Sequence, residues 1–269
     1  MAVSYVHGYD ERENDRLQDQ AGALVTLLHS DTAYPPNARV LEAGCGVGAQ
    51  TITLARNSPC ARFIAVDHSA ASLAAARRRI ADGGLANVEF LLADIFHLPF
   101  PPQSFDHVFV CFVLEHLADP SQALLALKRL LKPNGTITVI EGDHGSACFH
   151  PDNDDAHAAI RCLVDLQRAA GGDGLIGRQV YPLLVSAGFS DVTVSPRMVY
   201  VDSSKPDLVE SFTKKTFTAM VEGVRQAAID QGLAPPEKFD AGIKALYRTA
   251  AEDGVFCYPF FKGVGRKGA

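Results

Sequence analysis

Three carboxylates and three glycines near the front of the chain have the spacing of a binding site. In Val40-Leu41-Glu42-Ala43-Gly44-Cys45-Gly46-Val47-Gly48 an apolar run ends on an acid and enters glycines at alternate positions. A turn without Cβ atoms lets a ligand approach the backbone, and a helix that follows offers its N-terminus. Asp67 ends the next apolar run, nineteen residues after Gly48, where a carboxylate can accept two hydrogen bonds from a ribose diol. Asp94 follows a third run, in a short polar break framed by apolar residues that suits the edge of a flat purine. Each signal alone is ambiguous. Gly44-x-Gly46-x-x-Ala49 also satisfies the loose dinucleotide pattern, and a lone strand-end Asp also reads as a helix cap. Glycine turn and both aspartates on three successive strand ends are much harder to obtain by chance.

The elements that must hold these residues follow from the alternation of short apolar runs with helical patterns. Strands are expected at Arg39–Ala43, Arg62–Val66, Val88–Leu92, His107–Phe112 and Thr136–Glu141, with helices at Gln50–Asn57, Ala70–Ala81 and Pro120–Leu131. Strand–helix alternation of this kind implies an α/β, doubly wound parallel sheet with helices on both faces. After Glu141 the pattern changes. A polar stretch, Gly142–Pro151, precedes a helix at Asp155–Ala170; then come a helix at Gln179–Ala187 and strands at Val192–Val201 and Val255–Gly265. Residues 205–253 read as a helical insertion before the last strand, too long for a simple connection. In an open α/β sheet it becomes a lid or an oligomer contact, so a homodimer is one expectation.

With Phe105-Asp106, Val113-Leu114-Glu115-His116-Leu117 and Leu130-Leu131-Lys132-Pro133-Asn134-Gly135 added, the chain resembles class I S-adenosylmethionine-dependent methyltransferases. It looks most like the small-molecule branch that includes ubiquinone and menaquinone biosynthesis methyltransferases. The resemblance runs from Arg39 to Glu141. It implies a seven-stranded Rossmann-like sheet and S-adenosylmethionine as cofactor, with S-adenosylhomocysteine as product. On this resemblance Gly44, Cys45, Gly46 and Gly48 border the methionine part, with Glu42 orienting its amino group. Asp67, followed by His68, holds the ribose hydroxyls, Asp94 takes the adenine amino group, and Ile95 lies against the adenine. Phe112 and Val113 close the pocket. Asn134 stands where the family often has Gly.

The methyl acceptor is less marked. The loop Glu141-Gly142-Asp143-His144-Gly145-Ser146 leaves the fifth strand beside the expected methyl, and His144 is the candidate base or substrate hydrogen bonder. A loop histidine that only packs is an equal reading. Residues 1–30 are expected to cover the cofactor, with Tyr5 and Tyr9 toward the substrate, and 31–269 to form the methyltransferase domain. Arg197, with Lys205, Lys214 and Lys215, could meet an anionic substrate, or be scattered surface cations. His116 reads as a helix-start residue.

Composition bounds the rest. A formal net charge of −6 over 269 residues argues against a nucleic-acid phosphate binder. Six cysteines without C-x-x-C spacing read as reduced structural thiols, and no metal site is expected. The charged first twenty residues do not read as a secretory signal, and no run is long enough to span a bilayer, so a cytoplasmic location is expected. The expected activity is methyl transfer to a small organic molecule at oxygen, hydroxyl or carboxylate. Carbon methylation is the nearest rival. A nicotinamide-dependent oxidoreductase and a non-catalytic cofactor-binding protein are the readings from other classes.

Overall fold

Apolar side chains on both sides of the first strand require cover on both faces, and that requirement shapes the molecule. The structure, a computed structural model, describes residues 24–269. Strands β1 (Arg39–Ala43), β2 (Arg62–Asp67), β3 (Val88–Leu92), β4 (Phe105–Cys111) and β5 (Leu131–Gly142) run parallel in the order 3-2-1-4-5. Helices α1 (residues 24–29), α2 (Thr51–Asn57), α3 (Ala70–Asp82) and α4 (Pro120–Leu130) belong to this half. Val40, Phe63, Phe109 and Ile140 face a core shared with α1, while Leu41, Val108, Val110, Ile137 and Val139 face a second core shared with α4. The expected bounds hold to within about two residues here, except that β5 begins at Leu131, five residues before the expected Thr136. Residues 132–135 lie within β5, where Asn134 takes a φ of 61°, a region in which asparagine is among the best tolerated side chains.

The second half contains β6 (Cys148–His150), α5 (Asp154–Ala169), α6 (Val180–Ser186), β7 (Ser190–Asp202) and β8 (Val255–Arg266). Strand β8 lies antiparallel to β5 and pairs with β7 along its whole length. The polar stretch after Glu141, expected to be irregular, contains β6, an eighth strand. Its pairing explains it. β7 occupies one edge of β8 throughout, so β5, opposite residues 260–266, and β6, opposite 255–257, share the other edge. β6 therefore resumes the line of β5 after one turn at His144–Ser146, and the seven-strand plan survives with one position interrupted.

Residues 255–259 of β8 project past the carboxyl end of β5, about 17 Å of antiparallel extension. The insertion covers its inner face. Helical segments Pro206–Leu208, Val209–Thr218, Ala219–Gly223, Arg225–Asp230 and Pro236–Arg248 bury Phe212, Phe217 and Phe239, with the Val209–Thr218 stretch in wider π-type winding. Phe217 lies 4.7 Å from the Phe256 ring and Phe212 5.9 Å from Tyr258. The last helix packs on α5 at Gly242, where a Cβ would come within 2.3 Å of the Asp155 carbonyl. The insertion is thus a packed roof over the end of the sheet where ligands of open α/β folds bind.

Candidate active site

The glycine turn is held by its neighbours before any ligand is considered. Gly44, Gly46 and Gly48 have φ of 78°, 52° and 76°, in the left-handed region that glycine enters without strain. A Cβ on Gly44 would lie 2.4 Å from Val113 Cγ2, so this glycine lets the turn pass under the end of β4. Gly46 differs, because a Cβ there would meet nothing within 4 Å. Asp67 binds the turn from β2: its carboxylate accepts from the Gly46 N–H and the Ser69 N–H, both at 2.8 Å. A carboxylate has about four acceptor positions, so two remain for a diol. His68 beside it is largely exposed. Cys45 is buried, and desolvation pushes its thiol well above the usual range.

Glu42 lies at the end of β1, 2% exposed, with Oε2 lacking a hydrogen-bond partner. Burial, reinforced by the charge of Asp67, pushes its carboxyl up to about 8. An unpartnered buried carboxylate oxygen at the end of a strand is what a bound ammonium or hydroxyl group would satisfy. Asp94, 55% exposed, accepts from the Phe96 N–H at 2.9 Å and lies 3.3 Å from His97 Nδ1. The Phe96 amide holds its carboxyl below the usual range. It stays ionised and able to accept from an exocyclic amine. Ile95 packs at the edge of the core beside it. Phe112, at φ 57°, places its ring 5.3 Å from Phe260 and so joins the end of β4 to β8.

His144 is not in an open polar loop as expected. It is 5% exposed, because its amide is bound by the Gly174 carbonyl and its ring is enclosed by α5, β8 and the roof. The Tyr258 hydroxyl lies 2.7 Å from Nδ1, while Glu115 Oε2 and Gln167 Nε2 each lie 3.5 Å from Nε2. The Tyr258 oxygen also overhangs Gly142, where a Cβ would come within 2.3 Å of it. Next to this chain Glu141, fully buried, accepts from the Val113 and Leu114 amides at 3.0 and 2.8 Å. Burial and the nearby charge of Glu115 push its carboxyl well above the usual range. Asp143 is held by a bidentate Arg178 pair at 2.6 and 2.8 Å, which anchors the whole turn.

Arg197 does not present an open cation. It pairs with Asp31 and the Leu27 carbonyl, tying the segment after α1 to β7. Lys205 reaches the Tyr200 carbonyl, and Lys214 and Lys215 pair with Glu210. Tyr5 and Tyr9 lie outside the described residues. Of the expected covering segment 1–30, residues 24–29 lie against the sheet: Leu24 and Leu28 belong to its core, and His29 Nε2 lies 2.6 Å from Gln50, at the start of α2. His116, expected at a helix start, instead closes the short helical turn Leu114–His116, 3.5 Å from Glu115. Glu115, Gln167 and Tyr258 were not singled out from the sequence. Tyr258 is 114 positions from His144, and no local pattern links them.

The fold is that of class I S-adenosylmethionine-dependent methyltransferases. Residues 41–139 match the family model described as a methyltransferase domain, and this part of the chain resembles the methyltransferases of quinone biosynthesis. An uncharacterized 37.1 kDa protein in transposon TN4556 of Streptomyces fradiae is 36% identical over 79% of this chain and 61% of its own length. The demethylmenaquinone methyltransferase of Thermus thermophilus is 38% identical over 38% of this chain and 46% of its own. Among solved structures, Haemonchus contortus phosphoethanolamine N-methyltransferase 2 in complex with S-adenosyl-L-methionine aligns with a TM-score of 0.57 at 19% identity, covering 93% of this chain and 53% of that one. A SAM-dependent methyltransferase from Aquifex aeolicus aligns at 0.52 and 16% identity, over 95% and 99%. These two likenesses establish the fold. The chain spans between about a third and three fifths of the length of its curated relatives. Among the described residues no helix is long and apolar enough to cross a membrane, and no group of three or more His, Cys, Asp or Glu is placed to hold a metal ion.

Proposed function

We propose that the protein methylates a small organic molecule at a hydroxyl oxygen, using S-adenosylmethionine. The observation that carries the oxygen assignment is the Tyr258 hydroxyl held 2.7 Å from His144 Nδ1 under the roof, at the end of β5. When bound, S-adenosylmethionine supplies a methyl group on a sulfonium sulfur. Glu42 would meet the amino group, Asp67 the ribose hydroxyls and Asp94 the adenine edge, with His68, Ile95, Phe112 and Val113 flanking them. The roof and the Phe112–Phe260 contact exclude water, and the placement of a nucleophile in line does most of the work. Tyr258 orients the acceptor hydroxyl, and His144 accepts its proton through Tyr258 while Glu115 faces Nε2 and stabilises the imidazolium. A hydroxyl is favoured over a carboxylate because Arg197 is already committed to Asp31.

One observation favours carbon as the second reading. A ubiquinone/menaquinone biosynthesis C-methyltransferase of Hahella chejuensis is 36% identical over 39% of this chain and 43% of its own, beside the Thermus relative. Methyl-labelled cofactor incubated with a metabolite extract separates the two: the added mass is the same, but esters lose the label in base, ethers lose it only to hydriodic acid, and carbon products keep it through both. Label in small molecules is expected, and label in protein or nucleic acid overturns the acceptor class. With the product in hand, Tyr258→Phe and His144→Ala are each expected to lower kcat about a hundredfold with S-adenosylhomocysteine affinity unchanged. An unaltered kcat and pH profile in both variants would remove the proton-accepting role.

A further inference from the structure

The outer face of the antiparallel extension carries a feature that methyl transfer does not use. Cys148 on β6 and Cys257 on β8 are direct partners across the strand pair. Such partners carry their side chains on one face, with Cα atoms about 4.5–5.5 Å apart whichever type of pair they form. A disulfide accepts Cα separations of roughly 4.4–6.8 Å, so the backbone already has the needed spacing. Alternation along β6 and β8 puts Phe149, Phe256 and Tyr258 on the buried face and both cysteines on the other. Cys148 is exposed, Cys257 is half-buried beside the exposed Tyr200 of β7, and both thiols are free. Of the other four cysteines, Cys45, Cys111 and Cys162 are buried and Cys60 lies apart on the surface.

We propose that Cys148 and Cys257 are a redox-modification site, a cross-strand dithiol that low-molecular-weight disulfides such as oxidised glutathione convert to an intramolecular disulfide. The Cys148 thiolate attacks one sulfur of the oxidant, breaking its S–S bond and releasing one glutathione thiolate, which takes up a proton. The Cys257 thiolate then attacks the Cys148 sulfur of the mixed disulfide and releases the second glutathione. The protein loses two electrons and two protons, and the oxidant is reduced to two thiols. Desolvation and the neighbouring Cys148 hold the Cys257 thiol up at about 11. Exposure therefore makes Cys148 the first to react, and the closing step speeds up as pH rises above neutral. The bond joins the strand that follows the His144 turn to the strand that carries Tyr258, at the two roots of the segment that includes the roof.

The test uses the full chain, treated with oxidised glutathione at pH 8, quenched with an alkylating agent and mapped by non-reducing peptide mass spectrometry. A single linked peptide pair, Cys148 with Cys257, and the loss of two free thiols per chain are expected. Cys257→Ser is expected to stop at a glutathione adduct on Cys148, and Cys148→Ser to abolish linkage, while Cys60→Ser leaves linkage intact. A wild-type chain that keeps glutathione on Cys148 with Cys257 alkylated, that links between chains, or that does not react overturns the proposal. No methyl transfer enters this readout, so its failure is separate from failure of the proposed activity.

Discussion

On β1, β2 and β3 each residue assigned to the cofactor lies within a few positions of a strand's end, whereas on the far side of the sheet the polar pair is assembled from β8 and a turn 114 residues earlier. The first arrangement is built by the chain's local geometry. Gly46 and Asp67 meet because parallel neighbours β1 and β2 end at the same level. The second exists only because β8 runs antiparallel past β5 and the roof closes over it. A site of the first kind tolerates change elsewhere in the fold, and one of the second kind depends on distant packing.

Removing a roof anchor is the strongest way to break this contrast. Phe212 is 1% exposed between Tyr258 and Phe260, and Phe212→Ala is expected to cost about 3–5 kcal/mol of stability, measured by denaturant unfolding. At temperatures where the variant remains folded, S-adenosylhomocysteine is expected to bind it with unchanged affinity. Weakened binding would show that the two regions are one cooperative site.

Gly44→Ala probes the local region. Its Cβ would meet Val113 at a positive φ, combining a clash with backbone strain, each about 1–2 kcal/mol. Calorimetry is expected to show cofactor affinity reduced by roughly a hundredfold, with the roof's aromatic near-ultraviolet signal retained.

The smallest effect sharpens the role of Glu42. Its carboxyl, raised to about 8, is largely protonated at neutral pH in the free protein, while a cationic ligand group favours the ionised form. Binding therefore releases a proton, and affinity for S-adenosylmethionine is expected to rise with pH from 6 toward 8, by up to about tenfold per unit. Glu42→Gln should flatten that slope, and a wild-type profile already flat would remove Glu42 from the contact. The sign for folding is the reverse. A carboxyl raised in the folded state contributes stability at pH below its unfolded value of 4.5, and that contribution is lost as pH rises through about 8.

The parallel half was legible because its signals are short. A glycine turn, a strand-end acid and a 3.6-residue period each occupy a few positions, and strands β1 to β5 end where those signals say. The eighth strand was not, because three residues, Cys148–His150, carry too little pattern and pair only because β8 overhangs β5. Arg197 shows the same limit. Its charge reads as a substrate contact until the fold brings Asp31 beside it.

By itself the sequence determined the α/β class, the glycine turn with Glu42, Asp67 and Asp94 at strand ends, and the presence of a helical insertion, because each is encoded in contiguous residues whose backbone preferences act locally. Only the tertiary structure decided that His144 is buried, that Tyr258 and Glu115 flank it, and that Cys148 faces Cys257. Those pairings depend on strand register and on the hydrophobic closure of the roof, which are set by the burial of many side chains together and leave no mark at any one position.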